Sequence, residues 1–452
     1  MNIWRFILVS RSKQTARILA IGLAAYFFSV TCLFAVEVYI DVERKRGGLT
    51  KIAVSEFFFS PSPAMEKPNE PLGKRARDIL EFDLMFSGYF RLVTEEYASN
   101  GAGGNENSAA AIDWEGLKEL EADAFIKGLY QVDHDGGIII EAWLYDVETG
   151  GLIIGMRYTG ERKLFRKMVH RFADEVVYRL SGEPGIAETR LAFISRVKGR
   201  KELFICDYEG FGLEQVTSYR SIVLSPEWSP SGESILFTSY RNGNPDIFSL
   251  DLQSGTTSVI SQRKGLNSSA AWSPDGKKIA LTISVKGNSD IYIVNADGRR
   301  LRRLTFASSI ETSPTFSPDG KRIAYTSDFP GTPQIYIMDA NGRRPKRFTF
   351  SGNYNAEPAW SPKGDKIAYV GLNDENFNIF VKNVGGRSEK QLTAYMGTNE
   401  QPSWSPDGRN IAFSSTRSGT RQIYIMNENG EHQMRVTNLK GGGYSPSWSR
   451  RE

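Results

Sequence analysis

The stretch AWSPDGKKIAL, residues 271–281, decides the fold because the chain writes it again and again. EWSPSGESILF, TFSPDGKRIAY, AWSPKGDKIAY and SWSPDGRNIAF are near copies, and the chain runs out in SWSR. The aromatic residue of the phrase falls at Trp228, Trp272, Phe316, Trp360, Trp404 and Trp448, at a constant interval of 44 residues. Apolar strand openers keep the same beat at Leu191, Ile235, Ile279, Ile323, Ile367 and Ile411, and again at Leu203, Ile247, Ile291, Ile335, Ile379 and Ile423. A hydroxyl side chain does so at Thr217, Ser261, Thr305, Thr349, Thr393 and Thr437. A period of about 40–45 residues without helical spacing is that of a four-stranded propeller blade.

Within one unit, IALTI (279–283), IYIVN (291–295) and RRLTF (302–306) read as short strands separated by turn residues. Ser-Pro-Asp-Gly suits a tight turn between the first two strands, because Pro fixes φ at the second position and Gly frees the fourth. Residues repeated in every blade read as builders of the ring, since chemistry has no reason to recur six times. One period before Trp228 stands Pro184, so the first unit begins at LAFIS (191–195) without a first strand, while the last unit ends with an extra one at SPSW (445–448). The C-terminal strand is therefore expected to complete the first blade and to leave no long open edge. The fold class that results is an α+β N-terminal domain followed by an all-β six-bladed β-propeller, over residues 191–452.

Residues 1–35 read as a signal peptide: Arg5, Arg11, Lys13 and Arg17 precede an acid-free apolar stretch from Ile18 to Ala35. Cleavage after Ala35 is expected, although Leu33 suits the cleavage site poorly and the stretch is also just long enough for a retained anchor. Without these four basic residues the formal charge of +4 falls to zero, which removes the electrostatic case for a nucleic-acid partner. Cys206 is then the one remaining cysteine, so no internal disulfide forms, and its apolar run ELFIC marks it as a core residue.

Residues 36–182 form the α+β domain and SGEPG opens a linker over 183–190. VEVYIDV and KIAVSEFFF read as strands, and Leu72, Ala76, Leu80 and Leu84 share one helical face. Asp113 is placed to cap a short helix, ADAFIKGLYQV, IIIEAWLYDV and LIIGMRYTG make a meander, and Phe165, Val169, Phe172, Val176 and Leu180 line a last helix before Gly182. His134, His170 and His432 are scattered and read as solvated or loop histidines. No G-x-S-x-G elbow and no phosphate-binding glycine loop is present, so nothing in the sequence argues for catalysis, a metal or a cofactor.

Function is expected where the copies disagree yet share a location. The starts of the first strands read IVLSPEW, LNSSAAW, ETSPTF, NAEPAW, NEQPSW and GYSPSW. Leu266, Asn267, Glu311, Thr312, Asn355, Glu357, Asn399, Glu400 and Tyr444 are therefore expected around one channel mouth, with three Glu on successive blades repelling one another unless a basic partner offsets them. At the other end of the chain, Glu37, Val38, Tyr39, Ile40, Asp41 and Val42 alternate polar and apolar, as fits a half-buried strand or a segment that adds to another protein's sheet. Arg299, Arg300, Arg302 and Arg303 recur as Arg343, Arg344, Lys346 and Arg347 and read as a basic rim.

The Trp-Ser-Pro-Asp-Gly phrase, the Ile-Tyr-Ile-Met type of strand ending in Asn or Asp with Gly, and the following Leu-Thr together resemble the propeller repeat of the TolB family, the periplasmic component of the Tol–Pal envelope system. RDILEFDLMFSGYFRLV (77–93), WEGLKELEADAFIKGLYQV (114–132) and FADEVVYRLSG (172–182) are similar to TolB segments in the same order. The long apolar leader and the 99–110 insert depart from that pattern. The resemblance implies a non-enzymatic periplasmic scaffold, a monomer held peripherally at the envelope. It implies that the channel mouth receives Pal, the peptidoglycan-associated lipoprotein, that residues 37–42 contact TolA, and that other outer-membrane lipoproteins or porins are further partners. Support of envelope integrity, constriction during cell division and protein transport goes with that role. An exported hydrolase or glycan-binding propeller is the alternative from another class, and would need a carboxylate and histidine cluster at one mouth.

Overall fold

A computed structural model of the chain describes residues 48–61, 70–94 and 112–451, apart from 330, 374 and 395. The leader and the segment Glu37–Val42 lie outside the described residues.

In the N-terminal part, alternation along β1 (Thr50–Phe59) sends Ile52 and Val54 to one face and Ala53 to the other. β1 runs parallel to β2 (Phe90–Leu92) and to β3 (Ala124–Val132), which continues antiparallel through β4 (Gly137–Asp146) and β5 (Leu152–Glu161). Helix α1 (Leu72–Ser87) buries Leu72, Ala76, Leu80 and Leu84 and ends at Gly88, whose left-handed conformation (φ 74°) suits glycine. Asp113 caps the short helix α2 (Trp114–Glu119) by accepting from the Gly116 N–H at 3.0 Å. Helix α3 (Phe165–Ser181) packs beside α1 and stops at Gly182, also left-handed.

Six four-stranded sheets follow. The first blade has Tyr444–Trp448 as its inner strand, hydrogen-bonded to Arg190–Val197, so the two ends of the propeller close the ring between them. The Ser-Pro-Asp-Gly turns form as expected: Gly276 N–H donates to the Ser273 carbonyl at 2.9 Å, and the Ser273 hydroxyl donates to Asp275 at 2.6 Å. The outermost strands are shorter than the sequence suggested. Arg302–Arg303 and Lys346–Arg347 are pairs of residues, because the repeated hydroxyl takes the next ladder position with its side chain. Thr217, Thr305, Thr349, Thr393 and Thr437 each accept from a backbone N–H within the third strand, at 2.9 Å in all five blades.

Residues 183–190, expected as a linker, run tightly between the two parts. Asp174 at the inner side of α3 accepts from the Ala187 N–H at 2.8 Å, and Ile186, Ala187 and Thr189 are buried. One apolar core consequently joins α1 and α3 to Leu191, Phe193, Cys206, Tyr208 and Trp448 of the propeller. Burial pushes the Cys206 thiol up to about 12, which fits the core role read from its sequence.

Candidate functional site at the propeller channel

The inner strands carry a feature absent from the sequence reading. In each blade the pairing between first and second strand slips by one residue, for example between Ser268 and Ala271. The extra residue is Ser225, Ser269, Ser313, Glu357, Gln401 or Ser445, and all six sit in the left-handed region with φ between 48° and 61°. A left-handed non-glycine residue costs on the order of 1 kcal/mol, so six such bulges are held by the surrounding ring. They re-aim their side chains into a central cavity of about 300 Å³ that opens between the turn prolines Pro230, Pro274, Pro318, Pro362 and Pro406.

Part of this ring is stitched from blade to blade. Ser445 N–H donates to Gln401 Oε1 at 2.8 Å, Gln401 N–H to Glu357 Oε2 at 3.1 Å, and Glu357 N–H to Thr326 Oγ1 at 3.1 Å. Two carboxyls line the cavity. Burial pushes Glu357 up to about 7, with the charge of Glu400 acting in the same direction. Burial likewise pushes Glu227 up to about 7, against a hydrogen bond from Ser447 and the charge of Arg450. The cavity thus presents hydroxyls, ring edges and two carboxyls that ionise near neutral pH, a surface suited to a basic or hydrogen-bonding protein segment.

The nine residues expected around the mouth do not form one ring. Glu357 alone of them lines the cavity. Asn267, Glu311, Asn355 and Asn399 are buried, each at most 4% exposed. They belong to a repeated internal network. Asn355 donates to Gln334 at 3.0 Å and Gln334 accepts from Thr349, while Asn399 donates to Asn378, which accepts from Thr393. Asn267 accepts from Ser261 and Arg263 N–H, and Glu311 accepts from Ser309 and Ser327. The 44-residue recurrence of these four positions was the signal that they build the blade. Leu266, Thr312 and Tyr444 are half-buried, and the Tyr444 ring lies against the Arg196 and Lys201 charges. Glu400 pairs with Arg421. The three Glu therefore occupy three different levels, and Glu400 is near enough to Glu357 to add to the rise that burial gives it. Part of the basic rim is neutralised by neighbouring carboxylates: Arg303 pairs with Asp290 at 2.7 Å and Arg344 with Asp339 at 2.8 Å.

A second polar centre, missed in the sequence, lies where α1 and α3 meet the first blade. His170 Nδ1 is 2.7 Å from Asp83 Oδ2, the Tyr208 hydroxyl donates to Asp83 Oδ1 at 2.6 Å, and His170 Nε2 lies 2.9 Å from Glu209, which also pairs with Arg166. Burial opposes the imidazolium, but Asp83 outweighs it and holds His170 above its usual range. Its partners stand 87 residues before and 39 residues after it, beyond the reach of local pattern.

Comparison with known proteins places both parts. A model of the TolB amino-terminal domain matches residues 38–153, and a model of the TolB beta propeller domain matches residues 177–450. The Tol-Pal system protein TolB of Syntrophotalea carbinolica is 37% identical over 208 residues, 46% of this chain and 48% of that protein. The one of Geobacter sulfurreducens is 38% identical over 221 residues, 48% of this chain and 49% of that protein. The chain is thus matched over about half the length of these curated relatives. The crystal structure of TolB from Acinetobacter baumannii superposes with a TM-score of 0.75 at 28% identity, covering 89% of this chain and 98% of that one.

Proposed function

The chain belongs to the TolB family of Tol-Pal system proteins, and from that premise we propose that it is a non-enzymatic periplasmic scaffold that receives Pal at the propeller channel and TolA through residues 36–42. What carries this reading is the cavity ringed by six left-handed bulges, a rigid recess that holds the backbone strain of a binding site. Its carboxyls at Glu227 and Glu357 suit a basic or hydrogen-bonding loop of the partner. Alternating Glu37–Val42 supplies the chemistry of a segment that adds as a strand to another protein. Coupling an outer-membrane lipoprotein to an inner-membrane complex in this way serves envelope integrity and constriction at division.

A pull-down from detergent-solubilised envelope with the mature chain and with a form lacking residues 36–42 tests both contacts. Both forms are expected to recover Pal, and only the intact one TolA. Unchanged TolA recovery by the shortened form would remove the N-terminal assignment, and absence of Pal from both would remove the scaffold itself.

A further inference from the structure

We propose that the Ser-Pro-Asp-Gly side of the third to fifth blades is a docking surface for an acidic polypeptide segment of another protein. In a four-stranded meander the turn between first and second strands and the turn between third and fourth emerge on one face. On these three blades the turns, residues 273–278, 295–302, 317–322, 339–346, 361–366 and 383–390, hold fourteen Lys or Arg against six Asp or Glu. The equivalent turns of the other blades, residues 207–214, 229–234, 251–258, 405–410 and 427–434, hold one Arg, Arg409, against eight Asp or Glu. In the first blade the two ends of the propeller take the place of one turn. The same repeated backbone therefore carries a basic arc on one half of this face and an acidic arc on the other.

Neighbouring turns of the basic arc form one surface, since Arg302 of the third blade donates from Nη1 to the Asn341 carbonyl of the fourth at 3.2 Å. Arg300 and Arg344 occupy left-handed turn positions, φ 58° and 52°, where the first blade has Gly212. A non-glycine residue there costs on the order of 1 kcal/mol, yet both positions carry an exposed arginine. Carboxylates of the arc are engaged inside it: Ser273 donates to Asp275, Ser317 to Asp319, and Arg344 pairs with Asp339. Lys278, Arg300, Arg343, Lys346 and Arg387 are exposed and make no ion pair among the described residues. Like charges held this close repel one another until an anionic partner offsets them.

The surroundings select the occupant. None of the large apolar or aromatic side chains exposed among the described residues lies on these turns, so the arc offers nothing to enter an acyl layer and no ring on which a sugar could stack. The N-terminal domain stands on the turns of the first and sixth blades, where Arg166 meets Glu209, Phe82 packs on Tyr208 and Arg409 donates to the Gly88 carbonyl at 3.3 Å. It leaves a step beside the basic arc that a flat membrane does not follow and a flexible chain does. Successive Asp or Glu side chains of such a chain match the density of the arc, and the arginine fork takes a carboxylate through two hydrogen bonds. This inference stands apart from the assignment of Pal and TolA, because it uses the face opposite the blade connectors.

The test is fluorescence anisotropy of a short labelled poly-L-glutamate titrated with the chain from Val36 onward, at low and at raised salt. Binding is expected at low salt and is expected to weaken as salt rises. The triple variant Arg300→Glu, Arg343→Glu, Lys346→Glu is expected to lose affinity at least about tenfold at an unchanged melting point, because all three side chains are exposed. Arg220→Glu, Arg263→Glu, Lys264→Glu makes the same change of net charge on exposed residues outside the arc and is expected to keep most of the affinity. No binding by the parent at low salt, or equal loss in the two triple variants, overturns the proposal. Parent binding to peptidoglycan sacculi, or to vesicles containing phosphatidylglycerol, that exceeds binding to polyglutamate and is lost in the first triple variant overturns it in favour of a glycan or a membrane.

Discussion

Removal of residues 444–452 is expected to abolish cooperative folding of the propeller. The deletion takes away the inner strand of the first blade, so Arg190–Val197 is left with an unpaired edge on the channel side. It also takes Trp448, which is buried, stacks on Tyr208 and donates its indole N–H to Thr189 at 2.8 Å. Loss of a buried Trp side chain alone costs about 3–5 kcal/mol, comparable with the whole stability margin of many domains. Trp448→Ala isolates that share, and calorimetric melting of both forms checks it. A truncated chain that melts within a few degrees of its parent would show that the ring is held closed by something else.

Asp83→Ala is expected to lower the unfolding free energy by about 3–5 kcal/mol, because it strands a buried histidine and a buried hydroxyl at the seam between the N-terminal helices and the first blade. The same centre sets a pH dependence. His170 binds its proton more tightly in the folded chain than in the unfolded one, where its value is about 6.5. Its contribution is therefore complete below that unfolded value and is lost as pH rises through the higher folded one. The groups facing it are Asp83 on α1, Arg166 on α3, and Asp207, Tyr208 and Glu209 on the first blade. Glu227 and Glu357 lose stability with rising pH in a lower window, from about 4.5 to about 7. Urea unfolding of the parent and of His170→Gln between slightly acid and alkaline pH separates the two. The difference between the proteins is expected to shrink as pH rises, and parallel profiles would contradict the role given to His170.

Much of this architecture was written in one period. The regular spacing from Trp228 to Trp448 and the missing strand before Leu191 determined blade count and closure, since each blade repeats the same local solution. The site was less legible for a physical reason. A left-handed bulge at Ser269 or Glu357 has no composition of its own, because the ring enforces it rather than the residue. Polar residues at strand starts, such as Asn267 and Asn355, look like solvent-facing connectors until their partners from the neighbouring strands are in place. One useful sign lay in the copies themselves. The bulge position is Ser in four copies and Glu357 or Gln401 in the other two, just before a proline in five of the six, while Asn267, Glu311, Asn355 and Asn399 keep their beat.

Calorimetric titration of purified Pal against the chain from Val36 onward tests the scaffold role most directly. Glu311 is buried, so its replacement would probe the fold, whereas Glu357 lines the cavity and Glu400 is partly exposed beside Arg421. Pal is expected to bind the parent, and Glu357→Gln with Glu400→Gln is expected to weaken binding at least tenfold, about 1.4 kcal/mol, at an unchanged melting point. Failure of Pal to bind the parent, or equal affinity for parent and double variant, would contradict the placement of Pal at the propeller channel.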